Sequence, residues 1–363
     1  MTVVADTRIP IFDAHLDLAW NALSFNRDLT LSLNALRSVE KNLTDGPYRG
    51  RATVTIPELR KARLRVCVAT LLARAGPQVP RQPPVRRIDL DYAHPSIARA
   101  QARGQWAYYQ WLEQQGWIRL LRSTDDLQAH WNAGSEGPLG IILSFEGCDP
   151  ITDPDDAHAW YELGVRVAGL THYGIGQYAF GTGTSGPLQP AAQALLCTFE
   201  TLGIALDVTH LCDESMAEAL DLFNGPVLAS HHNCRTLVPG ERQLSDEQIE
   251  RLIARDAIIG TALDAWMLHP GWIRGKTDRN VVHIAAIADH IDHVCQIAGN
   301  TKHAALGSDL DGGFGYNQVP VGLDRYTDLH SLAGILDMRG YSERDIDRVF
   351  HGNWLRFFSR CLG

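Results

Sequence analysis

The sequence predicts a closed barrel of eight parallel β-strands with a helix after each strand, because short apolar runs alternate with segments of helical periodicity. Runs rich in Val, Ile and Leu suit strands that are buried on both faces of a parallel sheet. Eight such runs in one chain favour a (β/α)8 TIM barrel over an open sheet. The predicted strands cover 9–13, 64–72, 139–144, 165–171, 203–208, 226–230, 257–262 and 303–308.

Helical patterns fill the intervals between these runs. Residues 91–116 carry apolar side chains at three- and four-residue spacing, 245–254 begin with Ser245 as an N-cap, and 283–299 continue the series. Two stretches break the periodicity and are expected to be long loops over the barrel mouth, namely the Pro- and Arg-rich 74–89 and the Gly-rich 173–186. We find no linker or repeat, so residues 1–363 are predicted to form a single barrel domain.

The composition limits the partners of the chain. With 33 Lys and Arg against 42 Asp and Glu, the formal charge is −9, and no basic run occurs. This balance argues against nucleic acid and anionic membranes as partners. The seven Cys show no Cys-x-x-Cys spacing, so neither a disulfide framework nor a thiolate zinc site is indicated. Without an apolar leader or a membrane-length apolar run, the expected location is the cytoplasm.

Ionisable side chains follow six of the eight predicted strands. In a barrel of this kind the loops after the strands converge at one mouth, so these side chains are expected to meet there. They are His15 and Asp17 after the first strand, Glu146 after the third, His172 after the fourth, His210 after the fifth, His231 after the sixth and Asp309 after the eighth.

This convergence predicts a metal site. Taken singly, each His or Glu146 also fits a structural hydrogen bond, and Asp309 with Asp311 also fits a Gly-rich turn. Taken together, they would place several ionisable groups in one low-dielectric mouth, which costs several kcal/mol per unpaired ion unless a cation compensates. Even three His and three carboxylates of this set, six ligand-type residues, exceed the three protein ligands of a single catalytic zinc, so we expect two ions bridged by a carboxylate.

Short motifs occur in a fixed order along nearly the whole chain: Asp13-Ala-His15-Leu-Asp17, Phe145-Glu146-Gly147, Thr171-His172, Asp207-Val-Thr-His210, Ala229-Ser230-His231, Gly307-Ser308-Asp309-Leu-Asp311-Gly312 and Gly352-Asn353-Trp-Leu-Arg356. This ordered set resembles the membrane (renal) dipeptidase family, the M19 peptidases of the amidohydrolase superfamily. The resemblance implies a barrel of the amidohydrolase type with two zinc ions, or another divalent metal, that hydrolyses dipeptides. Homologous barrels are often dimers, so a homodimer is also implied.

The resemblance also implies a role for each ligand. His15 and Asp17 would hold the first zinc, Glu146 would bridge both ions, and His210 and His231 would hold the second. Such ions would lower the pKa of a shared water, making hydroxide available near neutral pH. Since the histidines must be neutral to bind, metal affinity is expected to fall below about pH 6.

Four further residues receive roles from the same resemblance. His172 would donate a hydrogen bond to the developing oxyanion, and Asp309 would take a proton from the bridging water and deliver it to the leaving amine. Arg242 matches the arginine that binds the substrate's terminal carboxylate, and Arg235 is a rival for that role.

Three departures from the family pattern concern the substrate. The chain has Ser230-His231-His232 where the family has Ser-His-Ser, and His232 is expected to face away from His231, in a supporting layer or at the surface. The loop 173–183 lacks the Asn-rich segment of the family, and His351 stands where Gly is usual. Two alternatives therefore stay open, an amidohydrolase acting on another amide, lactam or ester, and a non-catalytic binding barrel.

Overall fold

The fold is described by a computed structural model that covers residues 9–46, 48–75, 87–134 and 137–363. The strands in these ranges are β1 (Ile11–Leu16), β2 (Leu64–Leu71), β3 (Ile118–Leu120), β4 (Leu139–Glu146), β5 (Val165–Gly169), β6 (Ala205–Asp207), β7 (Val227–Leu228), β8 (Ile259–Thr261) and β9 (Ala304–Leu306). The helices are α1 (Leu18–Phe25), α2 (Leu33–Glu40), α3 (Ile56–Lys61), α4 (Pro95–Gln114), α5 (Thr124–Asn132), α6 (Asp156–Glu162), α7 (Ala192–Leu202), α8 (Asp213–Leu222), α9 (Asp246–Ala254), α10 (Ala265–Leu268), α11 (Ala285–Ala298), α12 (Ser331–Met338), α13 (Glu343–Asp347) and α14 (Asn353–Cys361).

The strands are parallel and curl into a barrel. Six of them pair in the order β1-β2-β4-β5-β6-β7, β3 pairs with β4 outside this path, and β8 pairs with β9. Backbone hydrogen bonds join Ala229, just after β7, to Ile258 and Gly260 at β8. Between β9 and β1, the Asp309 N–H donates to the His15 carbonyl at 3.2 Å. The predicted α/β barrel is thus confirmed, with strands shorter than most of the predicted runs.

Strand β3 was not predicted. Ile118 and Leu120 are buried whereas Arg119 between them is exposed, so the strand is half-buried and three residues long. So short an alternating segment directly after a long helix carries too little periodicity to be recognised in sequence. The eight predicted strands correspond to the other eight.

The predicted helices form where local signals favour them. Ser245 accepts a hydrogen bond from the Gln248 N–H and the Gln248 side chain accepts one from the Ser245 N–H, which makes a capping box at the start of α9. Helix α11 ends at Gly299, whose φ of 65° lies in the left-handed region that glycine tolerates. None of the helices in the described part of the chain combines the length and apolar character needed to cross a membrane.

The two long loops were expected to lie over the barrel mouth. Of the first, residues 76–86 lie outside the described residues. The second folds back on itself, since the Thr182 N–H donates to the His172 carbonyl at 3.1 Å and the Gly174 N–H donates to the Thr182 carbonyl at 2.9 Å. A Cβ at Gly181 would come within 1.9 Å of the His172 oxygen, so this close return requires glycine.

Helix α14 closes the amino-terminal end of the barrel with aromatic side chains. The Phe358 ring stacks on Phe12 of β1 with 5.3 Å between centroids, and Trp354 lies 6.4 Å from the same ring. The Trp354 indole N–H donates to the Leu306 carbonyl of β9 at 2.8 Å. The partners of this cluster are the inward-facing residues of seven strands: Phe12, Ala14, Val66, Val68, Ile142, Val167, Ala205, Leu228 and Ala305. The helix therefore completes the apolar core at this end of the barrel, which we call the lower core. The mouth, where the polar groups lie, is at the opposite end.

Replacing Trp354 by Ala is expected to destabilise the protein by about 3–5 kcal/mol, because the change leaves a cavity in the lower core and removes a buried hydrogen bond. Chemical denaturation of both proteins measures the free energy of unfolding. Trp111→Ala is the control, because Trp111 is 45% exposed, and surface changes of this kind cost less than about 1 kcal/mol. Equal losses for the two variants would contradict the assigned role of α14.

Candidate metal centre

The predicted site residues meet at the carboxyl ends of the strands. Four imidazoles surround a single oxygen of Glu146, the last residue of β4. The distance from Glu146 Oε1 to His210 Nε2 is 3.0 Å, and the distances to the Nε2 atoms of His15, His172 and His231 are each 3.5 Å. Side chains from four different strand ends therefore converge on one carboxylate oxygen.

A second group of acidic side chains extends the cluster on the side of β1. His15 Nε2 lies 3.6 Å from Asp17 Oδ1 and 3.8 Å from Asp309 Oδ1. The hydroxyl of Thr70 in β2 donates to Asp17 Oδ1 and orients that carboxylate. Within the described ranges, three sets of side chains have ligand atoms close enough to share a metal ion: His15 with Glu146 and His231, Glu146 with His172 and His210, and His15 with Asp17 and Asp309.

Burial gives these groups unusual proton affinities. Loss of solvation raises the pKa of Glu146 well above its ordinary value and that of Asp17 to about 6, with further increases from neighbouring carboxylates at Glu146. Asp309 has a raised pKa for the same reasons. Burial, and after it the nearby charge of Arg242, lowers the pKa of His15 to about 3. Without a cation, the centre therefore favours protonated acids beside neutral imidazoles.

The unpaired atoms of the cluster fit a cation. His15 Nε2 and Glu146 Oε2 are buried and have no hydrogen-bond partner among the described residues. A buried lone pair is destabilising unless a hydrogen-bond donor or a cation lies next to it. Imidazole nitrogens and carboxylate oxygens are ligands that zinc and similar divalent metals prefer. The donor set therefore suits a divalent metal centre.

The backbone at two of these side chains is strained. His210 has a φ of 69° and Asp309 a φ of 54°, both in the left-handed region that is unfavourable for residues other than glycine. Asp311, also at positive φ, turns away from the centre, and its carboxylate accepts hydrogen bonds from the backbone N–H groups of Thr53 and Val54. Asp311 thus anchors the turn that aims Asp309 at the centre.

The two arginine candidates have different surroundings. Arg242 is buried, its Nη2 donates to the His231 carbonyl at 3.0 Å, and its Nε and Nη1 have no partner among the described residues. Arg235 instead forms two hydrogen bonds of 2.9 and 2.7 Å with Asp213 and is partly exposed. Arg242 is therefore the one placed to bind a ligand. His232 was expected either in a supporting layer behind the ligands or at the surface. Its side chain is buried, so it does not lie at the surface.

A cavity of about 790 Å³ opens over the cluster. Its walls include Arg242 and both ends of the loop 173–186, as the sequence predicted for that loop. Aromatic and cationic side chains make up much of the remaining wall: Trp20, Tyr173, Trp266, Trp272, Arg74 and Arg274. The cavity is large enough for a drug-sized molecule.

Sequence reasoning missed Arg74. Its guanidinium Nη1 lies 3.1 Å from His172 Nδ1, so it belongs to the site. The available signal was its position, because Arg74 follows β2 closely, at the same end of the barrel as the other functional side chains.

Comparison with known proteins identifies relatives. Residues 4–361 match the family described as membrane dipeptidase (peptidase family M19). Dipeptidase aclJ of Aspergillus oryzae is 30% identical over 230 residues, which cover 61% of this chain and 51% of the relative. An uncharacterized dipeptidase of Schizosaccharomyces pombe is 30% identical over 254 residues, covering 67% and 58%. The chain thus aligns with little more than half the length of these relatives.

Two solved structures share the fold. The dipeptidase AC, a metallopeptidase of family M19, superposes with a TM-score of 0.79 at 21% identity over 98% of this chain and 99% of that chain. A metallopeptidase from Rhodobacter sphaeroides, liganded with a phosphinate mimic of the dipeptide L-Ala-D-Ala, gives 0.78 at 21% identity with the same coverage. These likenesses support the barrel architecture.

The affinity of the metal-free protein for zinc is expected to fall as the pH drops through about 6, because protons compete for Asp17. Below its raised pKa this carboxyl is protonated and must release a proton to bind a cation. The sequence attributed such a loss to histidine protonation, but His15, with a pKa of about 3, is neutral throughout this range. Calorimetric titration in buffers of different ionisation enthalpy measures both affinity and proton release. A flat affinity between about pH 7 and 5 would contradict this account, and Asp17→Asn should make the dependence shallower, leaving the proton that Glu146 must release.

Proposed function

Since the chain belongs to the membrane dipeptidase family, peptidase M19, we propose that it is a metal-dependent dipeptidase that uses two divalent cations, with zinc as the expected metal. The observation that carries the proposal is the convergence of four imidazole nitrogens on Glu146 Oε1, with Asp17 and Asp309 beside them. A site built only for structural stability would not need to collect unpaired buried ligand atoms. The ordered motifs that resemble this family contribute these same residues.

The ligand assignment follows the groups in contact. We assign His15 and Asp17 to one ion, His210 and His231 to the other, and Glu146 to both, since its Oε1 is within 3.5 Å of His15 and of both other histidines. When bound, the cations would polarise the scissile carbonyl and make the attacking water more acidic. All five proposed ligands lie at strand ends, where the sheet holds them in place more precisely than a loop would.

Asp309 is the proposed general base and acid. It lies 3.8 Å from His15 Nε2 at the edge of the cluster, and its side chain reaches the cavity wall. Its raised pKa, caused mainly by loss of solvation, lets the carboxyl hold a proton readily, so Asp309 would take a proton from the attacking water and deliver it to the leaving amine.

Arg242 is the proposed recognition group for the substrate's terminal carboxylate. Its Nε and Nη1 have no partner among the described residues and are available to donate to a substrate carboxylate, whereas Nη2 donates to the His231 carbonyl and holds the guanidinium beside the centre. A carboxylate fixed at this distance from the metal ligands would select short peptides, because the scissile bond must lie close to the free carboxyl end.

A second candidate function is supported by the size and aromatic lining of the cavity. At about 790 Å³, with Trp20, Trp266 and Trp272 in its wall, the cavity leaves room for bulky apolar groups next to the reacting bond. The same centre acting on another amide, a lactam or an ester would use this space.

Hydrolysis of a panel of L-L and L-D dipeptides by the zinc-loaded protein tests the proposal. We expect turnover of at least one class, and Asp309→Asn should keep its zinc while kcat falls about 10²- to 10⁴-fold, the range for loss of a general acid–base group. Asn has nearly the same shape and tolerates the left-handed backbone at this position. Turnover of a lactam or ester without any dipeptide would select the second candidate. No turnover of any such compound by the zinc-loaded protein would overturn both.

Arg242→Met is expected to raise KM for dipeptides about ten- to a hundredfold, the loss of a charge-assisted hydrogen-bond pair. Arg235→Met is the matched control, because it removes the same charge from the same segment but its guanidinium is bound to Asp213. Steady-state kinetics on a dipeptide and on the corresponding dipeptide amide separate the effect. Only the free acid should be sensitive to Arg242→Met, and equal sensitivity of the amide would contradict carboxylate recognition.

A further inference from the structure

For three of the histidines around Glu146, the ring nitrogen that faces away from Glu146 contacts another side chain, and the chemical type of that side chain separates His172 from the other two. His210 Nδ1 lies 3.1 Å from the hydroxyl of Thr182, and His231 Nδ1 lies 2.9 Å from the hydroxyl of Ser230. A hydroxyl oxygen can accept a hydrogen bond as well as donate one. His172 Nδ1 instead lies 3.1 Å from Nη1 of Arg74.

The chemistry of these partners fixes the tautomers. The Thr182 hydroxyl also lies within donating distance, 3.3 Å, of the His210 carbonyl, so its proton is directed there and its oxygen accepts from His210 Nδ1–H. The lone pair of His210 is then on Nε2, as a metal ligand requires. A guanidinium has donors only, so it can bind His172 Nδ1 only where that nitrogen carries the lone pair. In a neutral ring the proton of His172 is then on Nε2, the atom that lies 3.5 Å from Glu146 Oε1.

Arg74 is itself held rigidly. Its Nε and Nη2 lie 2.9 and 2.8 Å from Asp91 Oδ1, and the two side chains are only 7% and 9% exposed. The backbone also joins the two segments, because the Arg74 N–H donates to the Leu90 carbonyl and the Tyr92 N–H donates to the Arg74 carbonyl. This arrangement keeps the guanidinium on the outer edge of the His172 ring.

We propose that Arg74, oriented by Asp91, is a positioning residue that fixes His172 as the Nε2–H tautomer, so that His172 donates a hydrogen bond into the centre and does not ligate a metal ion. By distance alone, Glu146, His172 and His210 form a plausible ligand set. The donor-only partner of His172 removes it from that set, whereas the hydroxyl partners of His210 and His231 keep those rings in it. The donor function of His172 toward the substrate carbonyl rests on the proposed dipeptidase activity, but its tautomer does not.

Nitrogen NMR of the zinc-free and zinc-loaded protein, labelled with 15N-histidine, tests the tautomer directly. The signals of His172 are assigned by their loss in His172→Gln. We expect a protonated Nε2 and an unprotonated Nδ1 in both states. Arg74→Met should lose this fixed pattern and give the averaged signals of an unrestrained ring. An Nδ1–H tautomer in the wild-type protein, or zinc-dependent loss of the Nε2 proton, would overturn the proposal.

Arg87→Met is the matched control. Arg87 lines the same cavity, carries the same charge and pairs with Asp89, so its loss changes the local field while the contact between Arg74 and the His172 ring remains. The His172 pattern should survive this change; its loss would mean that charge, and not the Arg74 hydrogen bond, sets the tautomer. Asp91→Asn, a milder change, should weaken the pattern in the same direction and serves if Arg74→Met does not fold.

Zinc content and kinetics complete the test. Arg74→Met should bind the same amount of zinc as the wild type, because neither Arg74 nor His172 is a ligand; reduced zinc content would overturn this assignment. On a dipeptide substrate, kcat should fall about ten- to a hundredfold with little change in KM, the signature of a donor that acts mainly in the transition state. A rise in KM at constant kcat would show that Arg74 binds the substrate instead. Absence of wild-type turnover would refute the dipeptidase function and leave the tautomer result standing.

Discussion

Glu146 Oε1 sits within 3.5 Å of four imidazole nitrogens, and the rest of the mouth is arranged so that this crowding can exist. Each of these rings directs its Nε2 atom toward the same carboxylate oxygen. So many buried lone pairs in one place are unfavourable unless protons or cations lie between them. The strand ends impose the positions, since no single loop could carry side chains from so many directions. The lower core contributes indirectly, because α14 packs the other end of the barrel with apolar groups and holds the strands in register.

Buried aspartates near the mouth bind neighbouring segments together. Their carboxylates accept backbone N–H groups that belong to a different strand or loop, which satisfies polar groups at places where the sheet ladder ends. Asp13 accepts from Ser308, Asp207 accepts from Ser230, and Asp149 accepts from Ala75. Because each contact crosses between adjacent strand ends, these aspartates fix the spacing of the residues that face the centre.

The sequence was sufficient for the barrel and for most of the site because both depend on periodic signals: apolar runs mark the strands, and ionisable residues follow them. It was insufficient where a role depends on a contact across the fold. Arg74 stands at a strand end, yet its role is visible only once His172 lies against it. Arg242 and Arg235 lie in the same loop, and only burial and the ion pair with Asp213 distinguish them. The change in histidine proton affinity likewise arises from burial, which composition does not reveal.

The proposed ligands come from distant parts of the chain, and this separation bears on how long a molecule survives in the cell. Among the proposed ligands, only His15 and Asp17, separated by one residue, lie close together in the unfolded chain. Nearly all of the metal's binding free energy would then stabilise the native state, adding about 4 kcal/mol when the free ion exceeds its dissociation constant a thousandfold. Scarcity of metal would increase the population of opened molecules that proteases can cleave. The supply of the ion would thus set the turnover of the protein as well as its activity.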